Sequence, residues 1–168
     1  MAVFWGRWMP PFLLLPAVIL VGCLAGAAWA GIPALLKARL KVDETLVTLM
    51  LNYVAILFSE FLYYGPWRDP KGYGFPGTEP FPEAAWMPRI AGRAHLGLVF
   101  GLALALVLWF VLNRTRWGFE LKIIGASPQA ARYQGISVER NIVLAILVSG
   151  ALCGLAGVGE VTGISRRL

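Results

Sequence analysis

The sequence predicts an all-α protein: a polytopic bundle of about four transmembrane helices, with one short, separately capped helix before the last of them. Two observations predict this fold. Hydrophobic residues make up 58% of the 168 residues and charged residues only 14%, whereas soluble domains carry about 25% charged residues. Four apolar runs are each close to the roughly 20 residues that a spanning helix needs. A soluble core of this size could not bury so many apolar side chains, so the chain is expected in a lipid bilayer.

The formal net charge is +6, which in a soluble chain would suggest nucleic acid. Here Lys and Arg lie mostly in the connections between apolar runs, where they face anionic headgroups and bias the topology. No basic patch carries interleaved aromatic residues, so nucleic-acid binding is excluded. Trp and Tyr instead gather near the ends of the runs, as they do in interfacial belts.

The first predicted span covers about residues 12–30, and Gly31-Ile32-Pro33 is expected to end it. Gly22 and Gly26 form a small-xxx-small face, which lets another helix approach closely. Two processing signals offer another interpretation of this run. The segment 20–23 resembles a lipoprotein cleavage box, and the segment 28–30 resembles a signal-peptidase site. Either would give an exported soluble product, for which the remaining membrane-like chain offers little to fold around.

The second predicted span, about residues 45–64, follows a basic connection at 37–41 and is not uniformly apolar. Six of its residues recur every three or four positions and so form one stripe on a helix: Thr45, Thr48, Asn52, Ile56, Ser59 and Tyr63. Polar groups in a bilayer are costly unless they face the bundle interior or a wet cavity. The stripe would therefore either bond neighbouring helices or line a translocation path. Glu60, beside it, would either join that path or reach the headgroups.

The segment 65–93 is rich in Pro, Gly and aromatic residues, and its prolines predict a loop over one mouth of the bundle. The third predicted span, about residues 94–113, has no central polar residue and is interpreted as a lipid-facing or structural helix. His95 at its entrance has no ligand partners at usable spacing, so no metal site is predicted there. Cys23 and Cys153 lie inside apolar runs and are interpreted as packed small residues.

The stretch 113–140 is polar and punctuated, between two apolar runs. Ser127 followed by Pro128 is typical of a helix start, because Ser accepts from an early backbone N–H and Pro has no N–H to leave unpaired. Gly135 predicts a left-handed helix end, and Ile136 the apolar contact that often follows it. A spanning segment needs no such short helix, whereas a surface that docks a partner does.

Ser137 is expected to cap the next helix, and the fourth predicted span covers about residues 141–164. Small residues dominate it, and three glycines are predicted to allow close helix packing: Gly150, Gly154 and Gly157. Glu160 lies deep in this run. A lone ionisable group there is a candidate functional residue, unless it pairs at the interface with Arg166 and Arg167.

The sequence lacks the G-x-x-x-x-G-K-[ST] nucleotide loop, the nucleophile elbow, H-E-x-x-H and paired-cysteine metal spacing. The ionisable groups in the runs are few and scattered. The chain is therefore predicted to be no enzyme and to hold no cofactor or metal.

Several motifs in this order resemble the permease subunits of ABC importers: TLMLNY at 48–53, WGFEL at 117–121, GASPQAARYQGI at 125–136 and SGALCGLAGVGEV at 149–161. The branch is the one that serves branched-chain amino acids, ribose and other simple sugars, and nucleosides. The match is closest to simple-sugar and nucleoside permeases. Ser127 stands where the family often has Asn, and Gln134 where a small residue is usual. Such permeases have more spans, so residues 1–168 are expected to form one incomplete transmembrane permease domain.

The resemblance implies a permease subunit of an ATP-driven importer in a bacterial-type plasma membrane. It would translocate a small polar solute. The resemblance favours a simple sugar or a nucleoside as that solute over a branched-chain amino acid. A separate ABC ATPase subunit would hydrolyse ATP. An extracytoplasmic binding protein would deliver the substrate, which would pass between this subunit and a second, identical or different permease. Five residues are candidates for that path: Thr48, Asn52, Ser59, Glu60 and Glu160.

In this resemblance the short helix becomes a cytoplasmic coupling helix, seated on the ATPase subunit, and both basic connections become cytoplasmic. The implied coupling residues are Gly125, Ala126, Ser127, Pro128, Ala130, Ala131, Arg132, Tyr133, Gly135 and Ile136. The alternative is a fragment of a secondary transporter or another helical membrane scaffold. A secondary transporter would need an ion or proton site at Glu60 or Glu160 in place of a docking helix.

Overall fold

The computed structural model describes residues 11–68, 78, 86, 89–91 and 94–165, and these form a helical bundle. The helices are α1 (Pro11–Leu40), α2 (Glu44–Tyr64), α3 (Leu96–Arg114), α4 (Arg116–Ala126), α5 (Pro128–Tyr133) and α6 (Val138–Glu160), and a π-helical turn, Val161–Ser165, continues α6. Four of them, α1, α2, α3 and α6 with its π-helical turn, are long and apolar enough to cross a membrane. The predicted fold class and the number of spans are confirmed.

The first helix is longer than predicted. α1 continues through Pro33 and ends at Leu40, so the prediction that the helix ends at 31–33 is wrong. Pro33 is buried, and a proline inside a spanning helix is tolerated where neighbouring groups compensate for the missing hydrogen bond. Lys37 and Arg39, expected in a connection, therefore lie in the last turn of the helix, where basic side chains suit the negative helix end.

A tight connection joins α1 to α2. Lys41 follows the end of α1 with a left-handed φ of 55°. The Asp43 side chain then caps α2 by accepting a hydrogen bond of 2.9 Å from the Thr45 backbone N–H. Lys37 and Glu44 form an ion pair across the turn. The end of α1 and the start of α2 are thus fastened at the same side of the bundle.

Most of the predicted loop 65–93 lies outside the described residues. Its last part pairs as an antiparallel ladder, β1 (Arg89–Ala91) with β2 (Ala94–His95). α3 consequently begins at Leu96 and not at residue 94. Apart from this ladder, no strand occurs in the parts of the chain that the structure describes.

α1 and α6 form the most extensive helix contact, and they run antiparallel. Gly22 of α1 faces Val158 of α6, and Gly26 of α1 faces Gly150 and Gly154 of α6. As the residue numbers rise along α1, those of the partners fall along α6. Two spans, α2 and α3, separate these helices in sequence, and an antiparallel pair is what a chain crossing four times requires. The C-terminal end of α1 and the N-terminal end of α6 therefore lie on one side.

Four glycines, which we call the glycine contact, allow the two backbones to touch: Gly22, Gly26, Gly150 and Gly154. A Cβ atom added at Gly150 would lie 2.6 Å from the Gly26 carbonyl oxygen, and one at Gly26 would lie 2.9 Å from the Gly154 Cα. Such contacts are closer than side-chain atoms accept, so only glycine fits. Gly157 lies outside this contact, because, apart from its chain neighbours and the surrounding backbone of α6, no described atom comes within 4 Å of its Cβ position.

The other two long helices pack little within the chain. Neither α2 nor α3 contains a buried residue, and their large apolar side chains, such as Phe61 and Leu102, are exposed. Such apolar surfaces can contact either lipid tails or further helices, because both keep the side chains away from water.

Candidate functional site

A compact three-helix unit at one end of the bundle, formed by α4, α5 and the first turn of α6, contains the predicted docking helix. α4 leaves α3 at a sharp turn that Thr115 organises. The Thr115 hydroxyl donates to the Val111 carbonyl (2.6 Å) and accepts from the Gly118 N–H (3.3 Å), so it caps α4. Gly118 is buried against the end of α3, and a Cβ there would lie 2.6 Å from the Leu112 carbonyl carbon.

α4 is a separate helix that the sequence alone does not predict. Its signals were present but short: Thr115 stands at the N-cap, and Trp117, Leu121 and Ile124 follow at helical spacing. In a sequence, an eleven-residue helix with one partly apolar face is hard to distinguish from a polar connection. The helix supplies the support against which α5 packs.

The start of α5 follows the predicted capping. Ser127 lies at the N-cap with extended backbone, and its hydroxyl oxygen accepts from the Ala130 N–H at 3.3 Å. Pro128 occupies the first position of the helix, where no backbone N–H is required. The capping prediction for this helix is confirmed.

The end of α5 is a Schellman motif. The Gly135 N–H donates to the Arg132 carbonyl (3.0 Å), and the Ile136 N–H donates to the Ala131 carbonyl (3.0 Å). Gly135 has a φ of 77°, a left-handed value that favours glycine. The predicted left-handed stop is confirmed, and the turn that it makes directs the chain into α6.

One residue from each helix of the unit forms its core. Ile124 of α4, Ala131 of α5 and Val138 of α6 are buried together. Ile136, the predicted apolar contact, packs against this cluster with Ile123 and Ile142. α5 is therefore anchored through one face, although it is only six residues long.

The opposite side of α5 is open. The Tyr133 side chain is 92% exposed, and most of the implied coupling residues are exposed with it: Gly125, Ala126, Pro128, Ala130, Arg132 and Gly135. Ala131 is buried, and Ser127 and Ile136 are half-buried. The structure thus brings the ten residues together and divides them between an outward surface and an inward anchor.

The predicted capping of α6 by Ser137 is wrong in its chemistry. Ser137 occupies the N-cap position, but its side chain makes no capping hydrogen bond. Asn141 bonds to the backbone of the same residue. Its backbone N–H and its side-chain amide both donate to the Ser137 carbonyl, each at 3.2 Å. The buried amide also donates to Glu120 Oε2 of α4 at 2.9 Å.

The candidate path residues of α2 lie on an exposed helix. The Thr48 hydroxyl donates to the Glu44 carbonyl and the Ser59 hydroxyl to the Ala55 carbonyl, each at 2.8 Å. These bonds satisfy both hydroxyls within the helix. The Asn52 side chain is exposed and makes no hydrogen bond with the described residues.

The two candidate acidic residues are exposed and belong to different helices, Glu60 to α2 and Glu160 to the end of α6. In the described part of the chain α2 makes only limited contact with α1, to which a tight turn joins it, and has no comparable contact with α6. The structure therefore does not assemble the path candidates into one site. The predicted partners of Glu160, Arg166 and Arg167, lie outside the described residues. Within those residues, no three His, Cys, Asp or Glu side chains are placed to hold a metal ion.

Comparison with known proteins decides the family. A family described as "Branched-chain amino acid transport system / permease component" matches residues 1–166. The chain belongs to this family. It is 35% identical over 161 residues to the guanosine ABC transporter permease protein NupP of Bacillus subtilis, and the match covers 92% of this chain and 45% of NupP.

Two further relatives extend the comparison. The glucose ABC transporter permease protein TsgB13 of Haloferax volcanii is 34% identical, over 95% of this chain and 45% of its own length. The nucleoside ABC transporter permease protein NupB of Lactococcus lactis is 30% identical, over 89% and 44%. The permease chain thus spans less than half the length of these relatives. No solved structure matches it. The predicted resemblance to nucleoside and sugar permeases is confirmed.

Proposed function

We propose that this chain is part of the membrane-spanning subunit of an ATP-driven importer, and that α5 is the helix through which a separate ATPase subunit acts on it. The observation that carries the proposal is the build of α5. The helix is fixed on one face by Ala131, capped at both ends, and presents Tyr133 with 92% of its surface exposed. A large, rigid aromatic residue at an exposed site is a typical anchor of a protein interface.

The orientation of the chain supports the same function. The antiparallel glycine contact places the C-terminal end of α1 and the whole three-helix unit on one side. That side gathers eight basic residues: Lys37, Arg39, Lys41, Arg114, Arg116, Lys122, Arg132 and Arg140. Eight of the fifteen Lys and Arg residues are too even a share for charge alone to fix the orientation. The cytoplasmic side, where ATP is available, is proposed because the chain belongs to the permease family. The proposed location is a bacterial-type plasma membrane.

The proposed substrate is a nucleoside or a simple sugar, because relatives over most of this chain carry those names. The family description keeps a branched-chain amino acid as a further candidate. The substrate would be delivered by an extracytoplasmic binding protein and pass between two permease subunits. The exposed polar stripe of α2, centred on Asn52, would face that route, and Thr48, Ser59, Glu60 and Glu160 remain candidates for lining it.

Exposed residues of α5 provide the test. Tyr133→Ala removes the exposed ring without disturbing the buried cluster. Gly135→Pro removes both the left-handed φ and the N–H that donates to Arg132. Tyr64→Ala, on the opposite side of the bundle, removes an equally large ring that is 59% exposed and serves as the matched control.

The assay is co-purification of the ATPase subunit with the tagged permease, followed by ATP hydrolysis in proteoliposomes. Tyr133→Ala and the double variant with Gly135→Pro are expected to lose the ATPase subunit or its stimulation. The Tyr64→Ala control is expected to keep both. If transport-coupled ATP hydrolysis persists unchanged in the double variant, the coupling role of α5 is wrong.

A further inference from the structure

A part-buried polar contact links the first turn of α6 to α4. Asn141 is 4% exposed, and its amide donates to Glu120 Oε2 at 2.9 Å. The two residues are 21 positions apart, and all of α5 lies between them in sequence. Among the described residues no basic group lies within ion-pair distance of Glu120, so the carboxylate has the Asn141 amide as its hydrogen-bond partner.

The contact completes a closed arrangement of three helices. The apolar cluster of Ile124, Ala131 and Val138 joins α4, α5 and α6 on one side. The Glu120–Asn141 bond joins α4 directly to α6 without passing through α5. A helix held by apolar contacts alone can slide, because such contacts have no preferred direction. A part-buried hydrogen bond to a charged group fixes a distance and an angle, and leaving the buried Asn141 amide unpaired is costly.

We propose that Glu120 and Asn141 are positioning residues that make α4, α5 and the start of α6 one rigid body, so that a displacement of α5 is passed to α6 and its glycine contact with α1. This inference rests on the proposed function for its consequence, but the rigidity itself is a property of the chain alone. Coupling between distant sites is carried by packed side chains, hydrogen-bond networks and rigid secondary elements.

Conservative variants separate the hydrogen bond from charge and volume. Glu120→Gln keeps a carbonyl oxygen in the place of Oε2 and loses the charge. Glu120→Asp keeps the charge and withdraws the carboxylate by one methylene. Asn141→Ala removes the donor. Lys122→Ala is the matched control, because Lys122 is also on α4 and donates to Asn113 Oδ1 at 2.9 Å, a bond that does not reach α6.

The measurement is the distance between nitroxide labels on α5 and α6, recorded by pulsed electron spin resonance in lipid nanodiscs. One label is attached after Gln129→Cys, at an exposed site of α5. The other is attached to the native, exposed Cys153 of α6, in a Cys23→Ala background. Both cysteines and all variants are placed in the full chain, with and without the ATPase subunit.

The parent chain, Glu120→Gln and Lys122→Ala are expected to give one narrow distance distribution, which does not change when the ATPase is trapped with ADP and vanadate. Glu120→Asp and Asn141→Ala are expected to give a broadened or shifted distribution, already in the chain without its partner. They are also expected to lower transport-coupled ATP hydrolysis by roughly two- to thirtyfold, the range found for mutations that modulate coupling.

A distribution for Asn141→Ala and Glu120→Asp that matches the parent chain overturns the inference. So does the reverse order, with Glu120→Asp unchanged and Glu120→Gln broadened, because charge and not the hydrogen bond would then hold the helices. Failure of the parent chain to retain the ATPase overturns the proposed function instead. In that case the partner-free distances still decide whether the unit is rigid.

Discussion

The glycine contact between α1 and α6 leads to a quantitative prediction. Gly154→Ala and Gly157→Ala introduce the same methyl group on the same helix, three residues apart. At Gly154 the new Cβ would lie 2.9 Å from the Gly22 carbonyl carbon. At Gly157 it would meet no described atom within 4 Å, apart from its chain neighbours and the surrounding backbone of α6. The two variants therefore differ in packing and not in chemistry.

The expected difference in unfolding free energy between the two variants is found by removing the contribution that they share. Each substitution replaces an interior glycine of α6 by alanine, which in water favours the helix by about 1 kcal/mol. That gain is shared and drops out of the difference. The overlap at Gly154 remains, and the atoms it meets are backbone atoms that cannot rotate away. Overpacking of this kind costs about 1–3 kcal/mol, so Gly154→Ala is expected to be less stable than Gly157→Ala by about that amount.

The assay is reversible unfolding in mixed detergent micelles, followed by tryptophan fluorescence, with both variants measured against the parent chain. Gly157→Ala is expected to be as stable as the parent or slightly more stable, and Gly154→Ala clearly less. Equal unfolding free energies for the two variants would refute the reasoning, because they would mean that the backbones of α1 and α6 do not touch at Gly154.

Three further predictions concern the connections. Gly118→Ala is expected to destabilise the chain by about 1–3 kcal/mol, because the new Cβ would overlap the end of α3. Gly125→Ala, on the same helix, places its Cβ in open space and is expected to leave the stability unchanged. Thermal unfolding of the two variants tests this difference. Ser127→Ala should lower stability by about 0.5–2 kcal/mol through loss of the cap, and Ser127→Asn should restore it; equal losses would contradict the capping role. The hydrogen bond from the Thr45 backbone lowers the pKa of Asp43 below its ordinary value of 3.8, so the cap of α2 contributes stability above about pH 4 and loses it as the pH falls through the lowered pKa. Asp43→Asn should remove that pH dependence in acid titrations monitored by circular dichroism.

The parts of the fold that could be predicted from sequence are those specified locally. The α5 caps depend on Ser127, Pro128 and Gly135, which act on backbone groups within four residues of themselves. The four spans depend on the length and composition of apolar runs. In both cases the determining interactions lie inside a short window, so a single sequence contains them.

The errors arise where tertiary contacts decide. Pro33 is an ordinary helix-ending signal in water, but here it is buried in a helix that continues to Leu40. Ser137 has the right residue type for a cap and stands at the N-cap of α6, yet its side chain makes no capping hydrogen bond. The Glu120–Asn141 contact joins positions 21 residues apart, and no spacing rule connects them. The sequence contains the glycine motifs of α1 and α6 in separate runs, and only the structure shows that they face each other.

The lengths of the helices have a consequence for how the chain sits in the bilayer. At 1.5 Å per residue, α2 with 21 residues and α3 with 19 measure about 32 Å and 29 Å, close to the roughly 30 Å of hydrocarbon in a typical membrane. α1, with 30 residues, measures about 45 Å. It must either incline steeply or project its last turns, with Lys37 and Arg39, into the aqueous layer. Because α6 lies along it through the glycine contact, the two helices must share that inclination, and membrane thickness becomes a variable that acts on them as a pair.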